Sequence, residues 1–242
     1  MNILYAPLLG ILLVLPLFFL GKKKKEYKKE FLFIFLLYFL LDSLLTALPI
    51  ELPNFDYVGF SMNWSGKLNS YVLAALFFIL YRGIPIEEYG FKRRQNPDSK
   101  PFALRVFAAF FLFMIVYSFV FGTYTGGWEN FLFQLTMPCI IEEVTYRGVL
   151  LTLLGRIFQP NMRLGKIHFG MGVVITAILF GLWHGLSITN DFQISIAWLP
   201  FVFTGLIGFV LALVKERTGS LVYPILIHIV INLTPQLMGY IL

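Results

Sequence analysis

The sequence has few charged residues and almost no cysteine. Only 13% of its 242 residues are Asp, Glu, Lys or Arg, well below the roughly one quarter that is usual in soluble domains. Hydrophobic residues make up 58% of the chain, 27 of them Phe, and the mean hydropathy is +0.79. A water-soluble fold cannot bury so much apolar surface, so the composition predicts an integral membrane protein.

The single cysteine excludes two further classes of structure. Because Cys139 is the only cysteine in the sequence, no disulfide can form within the chain and no cysteine cluster can hold a metal ion. It lies inside an apolar stretch. The formal net charge of +6 does not predict a nucleic-acid partner, because the Lys and Arg residues lie between apolar stretches, where they set membrane topology.

Apolar stretches of the length that crosses a bilayer recur along the whole chain. A helical span needs about 17–25 apolar residues, and eight candidates meet or approach this length: 3–20, 31–50, 68–82, 102–123, 129–155, 169–189, 194–214 and 219–241. Strands are not expected, since no alternating pattern persists and a lipid-embedded chain must satisfy its own backbone. The sequence therefore predicts an all-α polytopic membrane protein, one domain over residues 1–242 with about eight transmembrane helices.

Basic residues predict how this bundle is oriented. A lysine cluster, Lys22–Lys25 with Lys28 and Lys29, follows the first span, which indicates an N-terminus outside the cytoplasm. All of the 19 Lys and Arg residues except Lys67 and Arg147 then fall in cytoplasmic loops or at their edges. We therefore expect a protein of the cell membrane with both termini outside and the lipid bilayer as its main environment.

Ionisable residues inside apolar spans are costly, so they indicate function. Glu142, Glu143 and Arg147 lie in the fifth span. Glu143 and Arg147 are four residues apart, the favourable order for an ion pair on one helix face. Glu142 points about 100° away and has no such cation along its helix. The spacing therefore explains Glu143 structurally and leaves Glu142 without a partner.

The sixth and eighth spans add further polar groups. His184 lies in the sixth span, and His228 and Asn232 are four residues apart in the eighth. A buried carboxylate is suited to accept a proton from water, while imidazole and amide groups can stabilise an oxyanion. If these helices converge, the four residues would form a hydrolytic site. Gly181 and Gly185 form a small-residue face that predicts close helix packing around His184.

These residues form three ordered motifs: Glu142-Glu143-x-x-x-Arg147, Phe180-x-x-x-His184 and His228-x-x-x-Asn232. The set resembles the signature of the CAAX protease and bacteriocin-processing family, also called the Abi or CPBP family, over roughly residues 130–240. The resemblance implies a glutamic intramembrane endopeptidase without a metal or other cofactor, acting on a membrane-anchored or prenylated protein.

The resemblance also implies a role for each residue. Glu142 with His184 would activate the attacking water, and His228 with Asn232 would form the oxyanion hole. Glu143 and Arg147 would be a supporting ion pair, and Phe180 completes the second motif.

Two other interpretations remain open from the residues. Glu142, His184 and His228 could instead be ligands of a catalytic zinc ion, since three protein ligands and a water form a common zinc site. A non-catalytic immunity or binding factor, or a transporter, could also use intramembrane Glu and His residues. The sequence does not indicate an oligomeric state.

Overall fold

The computed structural model describes residues 5–92, 94–189 and 191–242. The start of the first predicted span, residues 3 and 4, therefore lies outside the described residues. The first four helices are α1 (Tyr5–Leu20), α2 (Lys29–Glu51), α3 (Trp64–Leu80) and α4 (Lys100–Phe121). Short 3₁₀ turns, Pro53–Phe55 and Ile86–Tyr89, lie in the two longer connections. These helices match the first four predicted spans to within a few residues.

The fifth predicted span, 129–155, is not one continuous helix. It consists of α5 (Trp128–Thr136), α6 (Pro138–Glu143), a π-helical segment (Val144–Leu150) and α7 (Leu151–Ile157). The break after α5 coincides with Pro138, whose ring nitrogen cannot donate a helical hydrogen bond. The π-helical turn follows directly on the two glutamates, and such turns often occur at functional sites.

The remaining helices are α8 (Met171–Gly185), α9 (Trp198–Thr218) and α10 (Val222–Gly239). Gly219 ends α9 with a left-handed backbone (φ 67°), a conformation that glycine adopts without steric cost. A connection of three residues, 219–221, then leads into α10.

Two small antiparallel hairpins interrupt the helical pattern. Strand β1 (Met162–Leu164) pairs with β2 (Ile167–Phe169), and β3 (Leu186–Ile188) pairs with β4 (Ile194–Ile196). The prediction of a chain without strands is wrong at these four places. Each strand has only three residues, too few for an alternating pattern to be recognised in the sequence.

Four of the described helices are long and apolar enough to cross a membrane: α2, α4, α9 and α10. The helices α1, α3 and α8 are apolar but shorter. The helical membrane fold is therefore confirmed, while the number of eight transmembrane helices stays a prediction.

The broken fifth segment lies at the centre of the bundle. Every residue from Ile141 to Leu154 is buried, and this stretch packs against α2, α3, α8 and α10. In contrast, large apolar side chains are exposed on the outer helices, for example Phe33, Leu112 and Phe119. This distribution suits a bundle whose outer surface contacts lipid and whose polar groups face inward.

Candidate active site

Three helices supply the predicted catalytic residues to one cavity. Glu142 comes from α6, His184 from the end of α8, and His228 and Asn232 from α10. All four line a single cavity of about 710 Å³. The structure therefore brings together residues from three separate sequence motifs. Their chemical roles are considered under the proposed function.

Glu142 is held by a cation from another helix. Nζ of Lys67, in the first turn of α3, donates to Oε1 of Glu142 at 2.6 Å, and both side chains are buried. The prediction that Glu142 lacks a partner is wrong, because spacing along one helix cannot reveal a cation contributed by another. The second oxygen, Oε2, accepts no hydrogen bond from the described residues and lies 4.0 Å from Nε2 of His228.

Glu143 forms the predicted ion pair and one further contact. Nη1 of Arg147 donates to Oε1 of Glu143 at 3.0 Å, and both side chains are almost fully buried. The same oxygen lies 2.9 Å from Nδ1 of His228. The Arg147 guanidinium also lies over the ring of Phe180, 4.3 Å from its centroid. Glu143 thus connects the motif on α6 with the histidine of α10.

The partners of His228 fix which ring nitrogen faces the cavity. An ionised carboxylate can only accept, so Nδ1 of His228 carries the hydrogen that Glu143 receives. Nε2 is then directed towards Glu142. A carboxylate that orients an imidazole in this way is a recurrent arrangement in hydrolytic sites.

His184 is oriented by its own helix. Its Nδ1 lies 2.8 Å from the carbonyl oxygen of Phe180, and a carbonyl only accepts, so Nδ1 carries a hydrogen there. In a neutral ring Nε2 is then an acceptor on the cavity side. Within the described part of the chain, no hydrogen bond or ion pair joins His184 directly to Glu142.

Asn232 is fixed by a residue that the motifs do not include. Its Nδ2 donates to Oε1 of Gln134 on α5, at 2.9 Å. Gln134 also lines the cavity. This hydrogen bond fixes the plane of the Asn232 amide, whose Nδ2 carries two hydrogens.

Small residues allow α8 and α9 to approach closely beside His184. A Cβ atom on Gly181 would lie 2.5 Å from the carbonyl oxygen of Phe201, and one on Gly185 would lie 2.6 Å from Cβ of Phe201. Neither position has room for a side chain. The close helix contact predicted from the two glycines is therefore confirmed.

Sequence reasoning missed two polar residues of this site, Lys67 and Gln134. A signal existed for Lys67, since it is the one loop-edge cation that departs from the charge distribution of the other loops. Gln134 gave no comparable signal, because an uncharged side chain in a membrane span is common near helix contacts.

No cluster of three His, Cys, Asp or Glu side chains suited to holding a metal ion occurs in residues 5–92, 94–189 and 191–242. Glu142 and His228 approach to 4.0 Å, and the described polar contact of the His184 ring is with the carbonyl oxygen of Phe180.

Comparison with known proteins shows one family similarity. Residues 124–234 match the family model described as type II CAAX prenyl endopeptidase Rce1-like. Neither a curated protein nor a solved structure matches the chain. The matched segment contains all three motifs, so the resemblance to CAAX proteases is confirmed. This segment of the chain is therefore similar to the Rce1-like family of type II CAAX prenyl endopeptidases.

Proposed function

We propose that this protein is an intramembrane endopeptidase that hydrolyses a peptide bond of a membrane-anchored or prenylated protein. The observation that carries the proposal is the convergence of Glu142, His184, His228 and Asn232 on one cavity between apolar helices. The match of residues 124–234 to a family of endopeptidases supports the same conclusion.

In the first step, Glu142 activates water. Lys67 occupies Oε1, so Oε2 is the oxygen that takes a proton from a water molecule in the cavity. The water oxygen then bonds to the carbonyl carbon of the peptide. His184, with Nδ1 bonded to its own helix, offers Nε2 as a second acceptor that holds the water.

In the second step, the oxyanion that forms at the carbonyl oxygen is stabilised by donors. Asn232 supplies Nδ2, and His228 supplies Nε2 when both of its ring nitrogens carry hydrogen. The carboxylates of Glu142 and Glu143 provide the negative charge that such an imidazolium needs. The carbon–nitrogen bond then breaks, and the proton on Glu142 passes to the leaving amine.

The cavity walls favour an apolar substrate. Outside the polar cluster they include Met114, Tyr117, Phe133, Phe203 and Ile207. An extended apolar peptide segment, or the lipid chain of a modified peptide, can pack against these side chains. We propose that the enzyme works in the cell membrane with both termini outside the cytoplasm.

Two alternatives use the same residues. A zinc-dependent protease would need Glu142, His184 and His228 as ligands, and a chelator distinguishes it from the mechanism above. A non-catalytic immunity or binding factor is not favoured, since the matched family consists of endopeptidases.

The test is cleavage of synthetic peptides by the purified full-length protein in detergent, with products identified by mass spectrometry. One peptide carries a prenylated CAAX tail, and a second is an apolar membrane-anchored peptide. Glu142→Gln is the inactive reference, and the exposed Glu87→Gln is the matched control. Cleavage that survives a zinc chelator and disappears only in Glu142→Gln is expected. Cleavage lost on chelation, or retained in Glu142→Gln, contradicts the mechanism.

A further inference from the structure

Basic loops gather at one end of the helix bundle. The backbone N–H of Lys24 donates to the carbonyl oxygen of Ile157 at 2.8 Å, which joins the first connection to the end of α7. Arg156 pairs with Glu88 at 2.6 Å, which joins α7 to the connection between α3 and α4. The connections at this end contain nearly all Lys and Arg residues of the loops: 21–28, 81–99, 158–170 and 219–221 with the helix ends beside them.

The opposite end has no basic loop residue. Its connections 52–63, 122–127 and 189–197 contain no Lys or Arg in the sequence, and they carry the carboxylates Asp56 and Asp191. A hydrogen bond from the Ser65 hydroxyl lowers the pKa of Asp56, so this group is charged near neutral pH. The loops at this end are also joined, since the Met62 N–H donates to Glu129 at 3.0 Å. The two ends of the bundle therefore differ in the sign of their loop charges, and we call them the basic end and the acidic end.

The cavity that contains the proposed catalytic residues lies towards the acidic end of the bundle. Its wall includes Ile50 near the end of α2, Asn63 at the start of α3 and Thr123 just after α4. His184, which also lines the cavity, lies in the last turn of α8. Each of these residues lies where its helix meets a connection of the acidic end. None of the basic connections contributes a described residue to the cavity wall.

In helical membrane proteins, the loops that are rich in Lys and Arg face the cytoplasm, and this charge bias sets the orientation of the protein. We infer that the catalytic cavity opens on the side of the membrane away from the cytoplasm. Its substrate is then the extracytoplasmic segment of a membrane-anchored protein, next to or within the outer leaflet. This inference rests on the proposed function and narrows it: a lipidated tail that stays in the cytoplasm does not reach the site.

The orientation of the cavity is tested without any cleavage. Thr123→Cys introduces a thiol at the cavity rim, and Lys25→Cys introduces one at the basic end of the bundle. The native Cys139 is buried, so the unmodified protein is the blank. A membrane-impermeant maleimide should label Thr123→Cys in right-side-out vesicles and Lys25→Cys in inside-out vesicles. The reverse pattern overturns the inference.

Cleavage is then tested with two reporters in cells that make the full-length protein. Both are single-span proteins with the same apolar cleavage segment, placed outside the membrane in one and in the cytoplasm in the other. We expect cleavage of the outside reporter only, and its loss in Glu142→Gln. Cleavage of the cytoplasmic reporter alone overturns the inference but leaves the protease function intact. Failure to cut either reporter, with the expected labelling, contradicts the proposed function and leaves the orientation standing.

Discussion

Nδ1 of His228 lies 2.9 Å from Oε1 of Glu143, so the second glutamate of the pair holds the histidine of the last helix. The same oxygen accepts a hydrogen bond from Nη1 of Arg147 at 3.0 Å. Glu142, by contrast, lines the cavity with Oε2 unoccupied by any described side chain. Two adjacent glutamates therefore have different surroundings, one suited to orienting a histidine and one to contact with substrate.

We expect Glu143→Gln to reduce kcat by about 10²-fold while KM changes little, because His228 loses the anion that orients it. The amide keeps the size of the side chain, so packing is preserved. Steady-state cleavage of a membrane-anchored peptide measures the change, with the exposed Glu87→Gln as control. An unchanged kcat would show that the contact with His228 has no role in the reaction.

Replacing Arg147 tests the stability of the buried ion pair. Arg147→Met leaves the Glu143 carboxylate in an apolar core with only His228 beside it, and breaking such a pair costs about 3–5 kcal/mol. For a chain of this size the melting temperature should fall by roughly 10 °C. Thermal unfolding in detergent provides the measurement. The double variant Glu143→Gln with Arg147→Met should recover part of the loss, and no recovery would argue against the pair.

Lys67 lies outside the segment that matches the family, yet it contacts Glu142. Lys67→Met removes the donor that fixes Oε1, so we expect kcat to fall by about 10²-fold through misplacement of the carboxylate. Lys67→Arg keeps a cation and should recover part of the activity. Ser70→Ala is the matched control, because it breaks the buried hydrogen bond between Thr46 and Ser70 without touching Glu142. Equal losses in Lys67→Met and Ser70→Ala would indicate a packing role only.

The approach of α8 to α9 depends on Gly181. Gly181→Ala would force a methyl group to 2.5 Å from the Phe201 carbonyl oxygen, and overpacking of this kind costs about 1–3 kcal/mol. We expect a lower melting temperature and slower cleavage, since His184 lies on the same helix. Gly205→Ala on the facing helix is the control. Its Cβ would meet its nearest neighbour at 3.6 Å, so that variant should behave as the wild type does.

The sequence predicted the parts of this structure that repeat along the chain or lie on one helix. Apolar length located α1 to α4 and α8 to α10 within a few residues, and the i,i+4 spacing identified the pair of Glu143 with Arg147. The break of the fifth span coincides with Pro138, a residue that commonly ends or starts a helix. These features depend on local order alone, which is why they can be read without a structure.

Contacts between distant segments were not predictable in the same way. Lys67 reaches Glu142 across 75 positions, and Gln134 reaches Asn232 across 98. Neither pair shares a helix, so no spacing rule connects them. The two hairpins were not predicted, because each of their strands has only three residues, whereas an alternating pattern needs at least four to be recognised.

The central claim is that Glu142 takes the proton from the attacking water, and single-turnover cleavage by Glu142→Gln tests it most directly. Enzyme in excess over a labelled membrane-anchored peptide removes product release from the measurement, and wild type and variant are compared at equal amounts of folded protein. A fall in the cleavage rate of about 10²–10⁴-fold, the usual contribution of a general base, is the expected result. A rate equal to that of the wild type would contradict the account.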